Sequence, residues 1–347
     1  MTIRLRTIFF LFLGIIVLSF LYVERAILSP FVAAAIFAYI FNPIVNFFSE
    51  KAKLPRLISV VIIYLLLIAL IAVIGTIITQ RVLSESTEIR SYVTTLLHTA
   101  RSQIDSLPDF VRPTVYDFLD SIEKSKLYGS SSLLPFFPKA LERLIGFLIF
   151  AFSGFYFLRE GGEFVNRFLT IVPRTYKIDV EILIRKINAV LGSYLRGQVF
   201  LVFLMSMVTF IALSILGIRF ALLIAIFSGF AEIVPIFGPI VAASIAVLVA
   251  VVTGSNNFGL PPTNSAIVII CIYFILRHIE DYFVVPQVMG KITKLPPFII
   301  FFSVIAGGHV WGILGLILAV PVAAIIKLLL EFSMDHINGK RNVLGSE

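Results

Sequence analysis

Apolar runs of a length that crosses a bilayer recur along almost the whole chain, at 7–23, 26–48, 57–80, 141–158, 199–217, 220–252, 265–285 and 298–330. A hydrocarbon core about 30 Å thick takes about 20 apolar residues in helical form, because a helix satisfies its own backbone hydrogen bonds where water is absent. The pattern predicts an all-α polytopic membrane protein. Only 14% of the 347 residues are charged, against about 25% in soluble domains. The first run follows Arg4 and Arg6 and resembles a signal peptide. No small-x-small site precedes Glu24 and a second apolar run follows at once, so an uncleaved first helix is expected.

Positive charge predicts orientation. Basic residues gather at Arg4 and Arg6, at Lys51, Lys53 and Arg56, at seven positions in 159–196, at Lys291 and Lys294, and at Lys340 and Arg341. Cytoplasmic loops favour Lys and Arg, so both termini are expected in the cytoplasm. Residues 81–140 carry seven basic and seven acidic residues and are expected outside. The net charge of +8 is spread over loops, which fits lipid headgroups and gives no reason to expect nucleic acid.

Two runs are too long for one crossing. Each of 220–252 and 298–330 has 33 residues, about 50 Å as continuous helix. Each is also interrupted, by Pro235 and Pro239 in the first and by Gly307 and Gly308 in the second. With 286–297 in the cytoplasm, both become re-entrant hairpins with arms too short to cross, and about six full transmembrane helices remain. With Lys291 and Lys294 outside, the same runs become tilted spans, giving eight straight helices. The hairpin pattern matches the inverted repeats of many secondary transporters.

These boundaries give transmembrane helices 1–3 at 1–80, an extracytoplasmic segment at 81–140, and a fourth helix with a cytoplasmic interfacial helix at 141–198. A transport core with two hairpins follows at 199–334, then a cytoplasmic tail at 335–347. The extracytoplasmic segment has helical stripes, Ile89, Val93, Leu96, Leu97 and Ile104, then Phe110, Val115, Phe118, Leu119 and Ile122. Amphipathic helices on the membrane surface or on a neighbouring subunit are expected there. The stretch 178–195 is expected to lie along the cytoplasmic interface.

Ionisable groups at membrane depth mark candidate chemistry. Glu232 has no basic neighbour in its own segment, so it must find a distant partner, meet water or carry a proton. In "RHIEDYFVVPQVMG", Arg277 and Glu280 stand at i,i+3, as do His278 and Asp281, while Arg277 and Asp281 stand at i,i+4. This group can act in transport or neutralise itself at the membrane edge. His309 can carry protons or serve in packing, and Lys327 can snorkel to the headgroups. Pro235, Gly238 and Pro239 are expected to make a turn that exposes backbone to a substrate path. The run Gly307, Gly308, Gly312 and Gly315 is expected to let its hairpin approach another helix closely.

No enzyme signature competes. HExxH, GxSxG, Walker and multi-cysteine patterns are missing from the sequence, and Cys271 is the single cysteine. No cofactor and no metal are expected, beyond a Na+ at Glu232.

Four motifs occur in the order of one family: "GSYLRGQ" (192–198), "LGIRFALLIAIFSGFAEIVPIFGPIVAA" (216–243), "EDYFVVPQVMGK" (280–291) and "LPPFIIFFSVIAGGHVWGILGLILAVPVAAIIK" (295–327). On these the chain resembles the autoinducer-2 exporter family, the PerM-like permeases. The resemblance implies a permease of the bacterial inner membrane without ATPase machinery, assembled as a homo-oligomer. It implies export of autoinducer-2 or another small polar solute, or sodium–proton exchange. The positions matching the family's motifs are Arg196 and Gln198, the turn Glu232, Pro235, Gly238 and Pro239, then Glu280, Pro286 and Gly290, and the pairs Gly307–Gly308 and Gly312–Gly315. Against that pattern, Arg277 stands where Gln is common, Tyr282 where Asn is common, and His309 replaces a small residue.

The sequence thus predicts a secondary transporter whose partners are the bilayer, a small polar solute and Na+ or H+. The two hairpins are expected to meet near the midplane as a gate, with Glu232 as the coupling carboxylate. Arg277, Glu280 and Asp281 are expected to form a charged lock at the cytoplasmic end. A passive channel or a membrane scaffold is the alternative of another class.

Overall fold

The computed structural model describes residues 12, 16, 19–20, 22–104, 136–174, 176–255, 257–288 and 295–337; the side chains of 81–104, 136–142 and 335–337 lie outside that description. Most of the run 7–23, residues 105–135, Gly290 with Lys291 and Lys294, and the tail from 338 also lie outside it.

The described elements are helical apart from one isolated bridge between Ser255 and Leu260. In chain order they are α1 (Arg25–Asn46), continued by a π-helical turn (Phe47–Lys51), α2 (Arg56–Ile104), α3 (Phe136–Ile171), α4 (Lys177–Leu216), α5 (Ala221–Ala231) and α6 (Phe237–Thr253). After these come α7 (Pro262–Ile279), a second π-helical turn (Glu280–Val284), α8 (Val285–Val288) and α9 (Pro297–Ile337). Five helical segments are long and apolar enough to cross a membrane: Arg25–Lys51, Arg56–Gln80, Arg143–Ile171, Lys177–Leu216 and Pro297–Met334. Much of their apolar surface points outward, with Leu148, Phe152, Phe203, Ile211 and Phe302 all exposed. Lipid tails are as apolar as these side chains, so such exposure has no cost in a bilayer.

The chain forms two compact units, Met1–Ile63 with Gly146–Glu347, and Tyr64–Ile145. The second contains most of α2 and the beginning of α3, and it exposes Leu65, Leu66, Ile68, Leu70 and Ile71.

Within the first unit, α4 is a single 40-residue helix, about 60 Å long. The stretch 178–195 is continuous with 199–216 in this one helix. Gly217 ends it with a left-handed φ of 68°, and Ile218 N donates back to Leu213 O at 2.9 Å. Glycine suits this cap because it has no Cβ to clash at positive φ.

The run 220–252 folds into a helical hairpin. α5 has 11 residues and α6 has 17, about 16 Å and 26 Å against a hydrocarbon core of about 30 Å. The far end of α6 returns to the base of α5: Ser255 Oγ donates to Leu216 O, and Asn257 Nδ2 donates to Ser214 O at 3.1 Å and Ile215 O at 3.0 Å. The contacts to Ile215 and Leu216 also satisfy carbonyls that the end of α4 leaves free. A Cβ on Gly238 would stand 1.8 Å from Ala231 O, so the arms meet at the tip only because residue 238 is glycine. The turn occupies 232–236 and includes Pro235; Gly238 and Pro239 belong to the first turn of α6. A missing proline amide costs nothing in a first helical turn.

The run 298–330 is also folded back on itself. Gly312, at φ 59° and ψ −135°, breaks α9. A Cβ on Gly307 would lie 2.5 Å from Gly315 O and 3.3 Å from the Ala319 side chain. In a straight helix residues 307 and 319 would stand about 18 Å apart. Two expectations are corrected here. The bend is at Gly312 rather than Gly307–Gly308, and the small residues bring the two arms of one hairpin together rather than docking it on another helix. The arms are also unequal: 297–311 is about 22 Å, whereas 313–337 is about 37 Å and is not too short to cross.

Candidate functional site

The hairpin tip formed by α5 and α6 lies deep along α4. A Cβ on Gly229 would be 1.9 Å from Ser206 Oγ and 2.4 Å from Val202 O, so α5 packs backbone to backbone on α4. Gln198, 18 residues before Leu216, donates from Nε2 to Glu232 O at 2.7 Å. That places the tip about 27 Å along α4 from the hairpin's base. Ile236, in the turn, has φ 73° and ψ −54°, an outlying backbone for a β-branched residue that the surrounding packing must hold in place.

Glu232 finds its partner 45 residues away, on α7. Arg277 Nη1 donates to Glu232 Oε1 at 3.1 Å and to Glu280 Oε2 at 3.3 Å, and Arg277 Nε pairs with Asp281 Oδ2 at 3.0 Å. Glu232 is 5% exposed and Glu280 1%. Three carboxylates thus share one guanidinium, and two of them are buried. The π-helical turn beginning at Glu280 widens the helix just where this carboxylate turns inward, and such turns occur often at functional sites. The sequence treats Glu232 and the Arg277 group as two places; in the structure they are one cluster.

One turn earlier on both helices, Ser228 Oγ and Tyr273 OH lie 2.8 Å apart, both buried. This pair is four residues before Glu232 and Arg277 respectively, so helical spacing brings it together once those two residues meet. The hydroxyls of Tyr194 and Thr209 on α4 are buried with no hydrogen-bond partner among the described residues. Among those residues, too, no three His, Cys, Asp or Glu side chains gather closely enough to hold a metal ion.

Other expected positions lie elsewhere. His278 is exposed and does not pair with Asp281; its Nδ1 lies 3.0 Å from Phe274 O and its ring packs on Phe274. His309 is exposed near the bend of α9. Pro286 is exposed on α8, and Arg196 is exposed on α4. Lys327 pairs with Glu331 at 3.8 Å. The two hairpins touch tip to arm. Phe237, at the tip of the first, stacks on Phe301, four residues into the second hairpin's first arm, at 5.4 Å between centroids. The bend of the second hairpin instead docks on the start of α1: Arg25 Nη1 donates to Val310 O at 2.7 Å, and Trp311 Nε1 donates to Arg25 O at 3.1 Å and Ser29 Oγ at 3.0 Å. Arg25 heads an apolar run and Trp311 is the single tryptophan, two signals the sequence offers for this contact.

A family profile described as AI-2E family transporter matches residues 8–335. The "Putative transport protein YrrI" of Bacillus subtilis (strain 168) is 26% identical over 324 residues, covering 89% of this chain and 87% of that one. The "Putative transport protein YueF" of the same strain is 28% identical over 314 residues, covering 86% and 82%. A "Sodium-lithium/proton antiporter" of Halobacillus andaensis is 22% identical over 325 residues, covering 89% and 90%.

Proposed function

Because this chain belongs to the AI-2E family of transporters, we propose that it is a secondary transporter in which Glu232 takes up a proton or Na+ as a small polar solute, such as autoinducer-2, leaves the cell. One observation carries this reading. Arg277 is shared by Glu232, Glu280 and Asp281, two of which are buried, so the site has more carboxylate charge than its guanidinium offsets. Unpaired buried charge is costly, and a bound cation removes that cost. Loading Glu232 frees Arg277 to hold Glu280 and Asp281, and the hairpin tip is then held to α7 by one ion pair fewer. The tip's other polar contact, Gln198 Nε2 on Glu232 O, keeps the backbone in place.

In this reading both hairpins re-enter the membrane, the termini are cytoplasmic, and the protein works as a homo-oligomer in a bacterial inner membrane. A second reading, cation exchange without a solute, is favoured by the same surplus of carboxylates and by the name of the Halobacillus relative.

The test is flux into and out of proteoliposomes. Imposed proton and sodium gradients should each be tried against autoinducer-2 efflux and against the pH inside the vesicles. Gradient-driven solute movement that an ionophore abolishes supports the first reading; sodium-dependent pH change without solute supports the second. Solute flux indifferent to both gradients, with currents far above carrier turnover, would make the protein a channel.

A further inference from the structure

A cavity of about 480 Å³ lies between α1, α3 and α4, and its lining includes none of Glu232, Arg277, Glu280 and Asp281. Its walls include Ala35, Ala38, Phe157, Phe164 and Val165, with Gly161 and Gly162 leaving one side open. Its polar lining comes from Tyr39, Asn42, Asn188 and Arg196.

The hydrogen bonds around this lining have a direction. Tyr39 OH donates to Asn188 Oδ1 at 2.6 Å, and Arg56 Nη2 donates to Asn42 Oδ1 at 2.8 Å. Both amide oxygens are therefore engaged, and each amide has its NH2 group left to donate. Arg196 lies on the same wall, its guanidinium folded back over Gly192: a Cβ there would fall 2.7 Å from Nη1. No hydrogen bond or ion pair engages Arg196 among the described residues. Donors without matching acceptors suit an anion. The nearby carboxylates do not compete, because Glu163 pairs with Arg167 at 2.9 Å and Glu160 with Arg159 at 3.7 Å.

We propose that this cavity binds the phosphate head of an anionic phospholipid, with Arg196 and the amides of Asn42 and Asn188 holding the phosphate and the apolar wall taking the beginning of an acyl chain. The volume lies within the range of about 300–1,000 Å³ usual for small-molecule sites. Phe164 on the wall and Tyr156, packed on it at 5.6 Å between centroids, are both exposed, and basic pockets between membrane helices are suited to anionic headgroups. Soluble phosphate esters share the headgroup's chemistry but lack the chain that the apolar wall would cover.

The test uses the purified full chain in detergent, with native mass spectrometry to count bound lipid. Phosphatidylglycerol is compared with phosphatidylcholine, and inorganic phosphate and glycerol 3-phosphate are added as competitors. The wild type should retain phosphatidylglycerol about tenfold better than phosphatidylcholine, and Arg196→Gln should remove that preference. Asn188→Asp keeps the acceptor for Tyr39 but replaces a donor with negative charge, and it should weaken retention about tenfold. Unchanged preference in both variants overturns the site. Displacement of the lipid by glycerol 3-phosphate at equal concentration overturns the lipid assignment and makes the ligand a soluble phosphate ester.

Discussion

Arg277 Nη1 stands 3.1 Å from Glu232 Oε1, joining the tip of one helical hairpin to a helix 45 residues further along the chain. The guanidinium is about one-third exposed, whereas the carboxylate is almost fully enclosed. This contact therefore has two roles. It fixes the hairpin, and it leaves a buried carboxylate dependent on a single cation that Glu280 and Asp281 also use.

Removing that cation should be costly. Arg277→Gln leaves Glu232 and Glu280 buried without their partner, and breaking a buried pair from one side costs about 3–5 kcal/mol. The thermal midpoint in detergent should fall by several degrees or more. Arg277→Lys restores charge without the planar fork that reaches three carboxylates, so it should recover only part of the loss. A midpoint for Arg277→Gln equal to the wild type would mean that the pair contributes no stability.

The hydroxyl pair one turn away makes a smaller, separable contribution. Tyr273→Phe strands Ser228 Oγ in a buried position, at a cost of about 1–3 kcal/mol. Adding Ser228→Ala to Tyr273→Phe should not add a second loss of that size, since neither group is then left unpaired. A double-mutant cycle on thermal stability measures this coupling. Strict additivity would show that the 2.8 Å contact carries no energy.

Glycine at the hairpin tips is required for space rather than for flexibility. Gly238→Ala places a methyl 1.8 Å from Ala231 O, and Gly315→Ala places one 1.8 Å from Gly307 O. Both are backbone atoms that cannot step aside, and overpacking of this kind costs about 1–3 kcal/mol or more. Either variant should lower the yield of monodisperse protein. Gly75→Ala, with nothing within 4 Å, should leave it unchanged.

The hairpin fold also constrains which loops share a face. Asn257 bonds the carbonyls of Ser214 and Ile215, so residue 257 must be reached from the same side as the turn after α4. In a Cys271→Ser background, single cysteines at 257 and 219 should react with an impermeant reagent from one side of the vesicle. A cysteine at 296, exposed ahead of α9, should react from the other. Labelling of 257 and 219 from opposite sides would restore the straight-helix topology.

Much of this fold could be read from apolar length alone, and the position of the first bend followed from Pro235 and Gly238. The second bend could not be placed as well. Gly307, Gly308, Gly312 and Gly315 all look like breakers, yet only Gly312 takes positive φ, while Gly307 and Gly315 serve the close approach of the arms. Sequence does not distinguish a glycine needed for its backbone from one needed for its missing Cβ. Within the site, the pairings Arg277–Glu280 and Arg277–Asp281 follow from helical spacing. The pairing with Glu232 does not, because it depends on how a hairpin packs against a helix far along the chain. The contact of Phe237 with Phe301, in which the tip of one hairpin lies against an arm of the other, is hidden for the same reason.

The most direct measurement is gradient-driven transport by Glu232→Gln in proteoliposomes. The amide keeps the shape and the Gln198 contact to the backbone of residue 232, but it has no charge to bind a proton or Na+. A folded protein is expected whose transport no longer follows a proton or sodium gradient, with the coupled rate reduced at least tenfold. Coupled transport at the wild-type rate, with the wild-type dependence on the gradient, would contradict the coupling role of Glu232.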